Sequence, residues 1–235
     1  MLSLWCQPQQ TPDGLRDQLL QDVGPQILAL EGVHAARLTV ADSAVADAAA
    51  RRLVMHEPAP DAVLSLWVDF AGHAARWSPL LNNCVARFST YLVAEGEPLS
   101  SQASHPAPVG ERVQGMCQVV WIRKPAEQDY GQWLSIWKDS HTPLAIEIQS
   151  NFGYRQNVVV RAIGEEAMPF DAIVEENFPA AAMASDHAFY ATDDDDALLQ
   201  QRIGEMTSSC ARFIDFSHID VVPMSEYVIR PLVAA

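Results

Sequence analysis

Trp133, Trp137 and His141 are the side chains of this sequence whose types and spacing best suit chemistry. Positions i, i+4 and i+8 fall on one helix face, so two indoles and an imidazole share a stripe. Such a stripe could wall an apolar pocket and present a proton carrier titrating near the ordinary His value of about 6.5. It also reads as helix-to-sheet core, with His141 capping a helix that Pro143 would end. The tryptophans fit core first and pocket second, while for His141 the two readings stand level. Asp186-His187 precedes AFYAT, read as a strand start, and adds His187 and Tyr190 as secondary substrate-contacting candidates. A polar loop accounts for that pair more simply. Four acids at 193–196 stand before a helical segment and read as capping residues, since a calcium loop needs spaced ligands and a glycine. Seven histidines lie without HxxxH, HxH or HExxH spacing, so no metal site is expected. GxGxxG, P-loop and GxSxG motifs are all missing, and no cofactor is expected.

The elements that would position these residues occur twice. Residues 95–115, EGEPLSSQASHPAPVGERVQG, read as a linker with neither helical nor strand period. On each side runs the order strand, helix, strand, strand, helix, strand. The strands at 2–6 and 116–123 run into Pro8 and Pro125. The helical segments DGLRDQLLQDV and DYGQWLSIWKDSH each precede a proline, Pro25 or Pro143. PDAVLSLWVDF at 60–70 mirrors FDAIVEENFP at 170–179, and Cys-Val-Ala-Arg-Phe at 84–88 mirrors Cys-Ala-Arg-Phe at 210–213. This order predicts an α+β chain of two tandem ferredoxin-like repeats. The expected units are 1–98 and 113–235, joined by 99–112. Residues such as Val63, Leu66, Val68, Val158 and Val160 would leave an apolar sheet face bare, so the two antiparallel sheets should cover each other as an intrachain barrel, an internal pseudo-dimer.

One stretch carries a resemblance. MCQVVWIRKP at 116–125, followed by Trp137, His141 and Pro143 behind Tyr130-Gly-Gln-Trp133, resembles the EthD-like family of the dimeric α/β-barrel superfamily. The resemblance covers the second half; the first half, with Leu and Val23 where the second has Trp and His141, reads as a degenerate structural copy. The family is associated with degradation of ethers and aromatic compounds and with oxidoreductase systems. Its superfamily includes cofactor-free monooxygenases, cyclases and isomerases, so the resemblance implies a fold more firmly than a reaction.

The leading functional reading is an enzyme acting on a small apolar or aromatic metabolite in the second half. His141 would carry the proton, and Trp133, Trp137, Tyr190 and His187 would contact substrate. A non-catalytic binding or accessory protein of an oxidative pathway is the alternative. A haem enzyme ranks third, since nothing marks a proximal His. Composition narrows the partners. Hydrophobic residues make up 49% and charged residues 19%, as in a folded globular chain. Fifteen Lys plus Arg against thirty Asp plus Glu give a net charge of -15, which repels nucleic acid and anionic membrane surfaces. No apolar run approaches the ~20 residues of a membrane helix. The N-terminal MLSLWCQP lacks the basic residue and length of a secretory signal. Four cysteines far apart read as reduced thiols of a cytoplasmic protein. A homodimer of such pseudo-dimers stays open.

Overall fold

Among the described residues, alternating apolar side chains build nine strands: β1 (Leu2–Trp5), β2 (Val33–Val40), β3 (Leu53–Val54), β4 (Ala62–Val68), β5 (Arg87–Leu99), β6 (Met116–Ile122), β7 (Gly153–Ile163), β8 (Ala172–Phe178) and β9 (Ile219–Arg230). The computed structural model describes residues 1–164 and 167–232. Glu165, Glu166 and the last three residues of the expected 113–235 unit lie outside the described residues. Eight strands pair antiparallel in the order β2-β4-β1-β5-β7-β8-β6-β9, and β9 pairs back onto β2 to close a barrel. The two-residue β3 adds to β9. The chain is therefore α+β with a closed antiparallel eight-stranded barrel.

Period two sorts the side chains. Along β6, Cys117, Val119 and Trp121 join a cluster inside the barrel with Val63, Ile173 and Met224. Val120 and Ile122 instead meet the helices outside, with Trp133, Trp137 and Phe213. A matching outer core in the first half gathers Leu4, Leu15, Leu19, Leu64 and Trp77. Both faces of the sheet are thus covered over most of its area. Val160 is a departure from expectation: it is 60% exposed. Pairing of β7 with β8 ends at Val158↔Ala172, so β7 runs past the sheet's cover there.

Helices α1 (Pro12–Gln18) and α2 (Gly24–Leu28) flank a π-helical turn, Leu19–Val23; α4 (Tyr130–Ser135) and α5 (Thr142–Ile148) flank another, Ile136–His141. Thr11 caps α1 through Gly14 N–H at 3.1 Å, and Asp129 caps α4 through Gln132 N–H at 3.0 Å. Pro143 was expected to turn the chain out of the helix, but the helix continues through it. Proline lacks an N–H and its ring crowds the carbonyl four residues back. The wide turn removes that conflict, with Thr142 N–H bonded to Trp137 O five residues back and Gly24 N–H to Leu19 O.

Three further helices complete the cover: α3 (Ala74–Asn82), α6 (Asp186–Phe189) and α7 (Asp196–Cys210). Asp195 caps α7 by accepting from Leu198 N–H at 3.0 Å. AFYAT, expected as a strand, belongs to α6 and the turn after it. Ser185 there accepts from Ala188 N–H at 3.1 Å and starts a helix. The expected linker is also shorter at its front, because β5 extends to Leu99. Two of its acids, both on β5, pair with buried arginines: Glu95 meets Arg37 at 2.9 Å and Glu97 meets Arg155 at 3.0 Å.

Asp61 and Asp171 make matching bonds. Asp61 Oδ2 accepts from Cys6 N–H at 2.8 Å, and Asp171 Oδ2 from Lys124 N–H at 2.9 Å. Their backbones repeat the match: Asp61 N–H donates to Leu4 O and Asp171 N–H to Ile122 O, both at 2.9 Å. Each carboxylate fixes the exit of the strand that opens its half.

Candidate functional site

Between the outer face of β6–β9 and the helices α4–α7 lies a cavity of about 190 Å³. Cross-strand rows form its floor. In one row Gln118 on β6 faces Glu176 on β8, and Glu176 faces Tyr154 on β7. The next row places Val120 between Val174 and Val221, and a further one sets Ile122 beside Ile219. One polar row thus borders an apolar floor. The roof is Trp137 and His141 from the π turn, Tyr190, Met206 and Cys210, with Phe213 behind them.

Glu176 is the electrostatic exception in this cavity. Burial pushes its carboxyl up to about 7, against the weaker opposing pull of Gln118, whose Nε2 donates to Oε2 at 3.5 Å. The neighbouring Glu175 points the other way, into the barrel, where Arg37 donates to it at 2.6 Å and Asn157 at 3.1 Å. Adjacent acids on one strand therefore have separate environments.

His141 lines the cavity, 5% exposed. Its Nδ1 lies 3.0 Å from Ser209 Oγ, and its ring sits 4.6 Å from that of Phe213. Burial, aided by the positive charge of Arg212, lowers its pKa to about 4. The expected titration near 6.5 does not hold, because burial without a carboxylate partner disfavours the imidazolium. His141 is a neutral hydrogen-bonding group at pH 7. Burial also pushes Tyr190 and Cys210 up to about 12, so both stay protonated. Gln149 lines the same space, and its buried Oε1 has no partner among the described residues.

The other sequence candidates divide. Trp137 and Tyr190 reach the cavity, whereas Trp133 lies behind Trp137 with ring centroids 5.4 Å apart and its Nε1 donating to Phe213 O at 3.0 Å. It is core. His187 is turned to the loop, with Nδ1 2.8 Å from Thr192 Oγ1 and Nε2 3.2 Å from Asp196, and does not line the cavity. Glu176 escaped attention in the sequence, although a signal was present. The offset of 110 between Asp61-Ala62 and Asp171-Ala172 sets Glu176 against Leu66. A carboxylate therefore stands on the helix-facing side of β8 where the first half carries a leucine. In the first half Leu15, Leu19 and Val23 are all buried in core. A cavity of about 180 Å³ beside Leu66 and Trp77 has no carboxylate or imidazole in its lining. Among the described residues no group of three His, Cys, Asp or Glu is arranged to hold a metal ion.

No family model matches the chain, and no curated protein matches it. A solved structure described as a crystal structure study of an anthrone oxidase-like protein shares the fold, with a TM-score of 0.55 at 12% identity. The match covers 100% of this chain and 93% of that one. At that identity the likeness establishes the barrel architecture alone.

Proposed function

We propose that the chain is two tandem ferredoxin-like units, 1–98 and 113–235 joined by 99–112, and that the second carries a proton-transfer site for a small, largely apolar ring molecule. The repeat is supported by the matching bonds of Asp61 and Asp171 and by the paired π turns before Pro25 and Pro143. Each half also orders its own four strands alike, as β2-β4-β1-β5 and β7-β8-β6-β9. The EthD-like reading rests on Trp137, His141 and Pro143, two of which roof the cavity.

The observation that carries the chemistry is Glu176, a buried carboxyl with its pKa near 7 in an apolar cavity. A general base works best when its pKa lies near the operating pH. His141, lowered to about 4, is too weak a base for that task, so the proton-carrying role passes from His141 to Glu176. Glu176 would take a proton from a carbon beside a ring carbonyl; the C–H electron pair then moves into the enolate. Tyr190, protonated, and the amides of Gln118 and Gln149 are the donors available to the developing oxyanion. An enolate is the common starting species for isomerisation, ring closure or reaction with dioxygen. The name of the anthrone oxidase-like neighbour fits the last of these. An apolar cavity of about 150 Å³ holds one benzene ring, so the space here suits one ring or two fused rings.

Hydrogen–deuterium exchange of 2-indanone and 2-tetralone in D2O tests this reading. The full chain should accelerate loss of the acidic ring protons, and Glu176→Gln should cut that acceleration roughly 10²–10⁴-fold. Equal exchange by the two proteins would overturn it.

A further inference from the structure

A second cavity, of about 140 Å³, opens at the end of the barrel where β9 begins, among His56, Tyr91, Trp121, Met168 and Phe170. It lies on the opposite side of the sheet from the first. Trp121 and Asp220, paired across β6 and β9, face this space, whereas Val120 and Ile219 face the helices. Its size suits a single six-membered ring.

His56 is held there by a buried carboxylate. Its Nδ1 lies 3.1 Å from Asp220 Oδ2, and the Asp220 side chain is 3% exposed. Asp220 Oδ1 accepts from Met55 N–H at 2.7 Å and from His56 N–H at 3.0 Å, which fixes the carboxylate itself. A carboxylate at Nδ1 selects the Nδ1–H tautomer and leaves the lone pair on Nε2. Nε2 has no hydrogen-bond partner among the described residues. The ring stands edge-on to Phe170 with centroids 5.5 Å apart. Arg87 lies at the rim with its guanidinium 3.9 Å from the Trp5 ring centroid, and Glu57 adds a carboxylate.

We propose that this end of the barrel is a second small-molecule site, one that binds a neutral single-ring phenol whose hydroxyl donates to His56 Nε2. The aromatic walls select a flat ring, and an acceptor held in one tautomer selects a donor. The carboxylates of Asp220 and Glu57 disfavour an anionic ligand of the same size. The site is independent of the proton transfer assigned to the first cavity and of Glu176.

Phenol titrated into the full chain, followed by the indole N–H signals of Trp5, Trp121 and Trp137, tests the proposal. Saturable shifts at Trp5 and Trp121 are expected, with benzoate at least tenfold weaker. His56→Leu should weaken phenol at least tenfold at Trp5 and Trp121 while leaving any shift at Trp137 unchanged. Asp220→Asn separates this from local damage to the loop. Its amide would donate to Nδ1 and move the ring proton to Nε2, so the ring nitrogen shifts should exchange and phenol should weaken. Shifts confined to Trp137, or undiminished binding in His56→Leu, would overturn the proposal.

Discussion

Glu176 and His141 are displaced from their ordinary pKa values in opposite directions by the same cause, burial in one apolar cavity. Their effects on stability therefore oppose each other. The folded state raises the Glu176 pKa to about 7, so between about 4.5 and 7 the native state binds more protons than the unfolded one. Stability falls as pH rises through that window. His141 is lowered to about 4, so between about 4 and 6.5 the native state binds fewer protons, and stability rises with pH. In the wild type the two slopes largely cancel where they overlap. Glu176→Gln should remove the falling part, so that its stability relative to wild type climbs by about 3 kcal/mol from pH 4.5 to 7. His141→Gln should do the reverse, losing about 3 kcal/mol relative to wild type from pH 4 to 6.5. Urea unfolding at half-unit pH steps would show both trends. Parallel curves for wild type and both variants would contradict the assignment.

The π turn at Ile136–His141 is the element that aims the cavity roof. Thr142 Oγ1 donates to Trp137 O at 2.9 Å and accepts from Gln156 Nε2 at 2.7 Å, tying the turn to β7. Thr142→Val keeps the shape and leaves the buried Gln156 amide without its partner, at a cost of about 1–3 kcal/mol. Denaturant unfolding should show that loss; an unchanged midpoint would mean the tie is dispensable. At this scale the sequence was most legible. Period two in MCQVVWI and the Asp-Ala correspondence at 61 and 171 located strands and their order. What escaped was anything decided by a distant partner. Pro143 reads locally as a helix stop, and only the wider turn lets the helix run on. Glu95 and Glu97 read as part of a linker, because their partners Arg37 and Arg155 lie far away in sequence. The Trp133–Trp137–His141 stripe was visible, but periodicity could not tell that Trp133 packs behind the cavity wall. Nor could it tell which of two adjacent acids, Glu175 or Glu176, faces the barrel.

Over the whole molecule, three strand pairings join the halves: β5 with β7, β2 with β9, and the two-residue β3 with β9. Cutting all three would expose the barrel interior, including Val63, Val119, Trp121 and Met224 on their respective halves. It would also separate Arg37 from Glu175, paired at 2.6 Å, and Arg155 from Glu97, paired at 3.0 Å, leaving the buried Glu175 without its cation. Fragments 1–98 and 113–235 expressed apart should therefore aggregate, or bind each other when mixed. Two monomeric, soluble, folded fragments in sedimentation analysis would contradict the single-barrel account. Among the described residues no helix is long and apolar enough to cross a membrane.

The most direct test of the central claim is the titration of the Glu176 side-chain carboxyl in the full chain. Carbon-13 NMR of protein labelled at glutamate carboxyls, with Glu176→Gln supplying the assignment, would follow it. The account predicts a midpoint near pH 7, where the cavity holds a carboxyl poised to take and return a proton. A midpoint below 5 would place a permanently ionised carboxylate there and contradict the proton-transfer role.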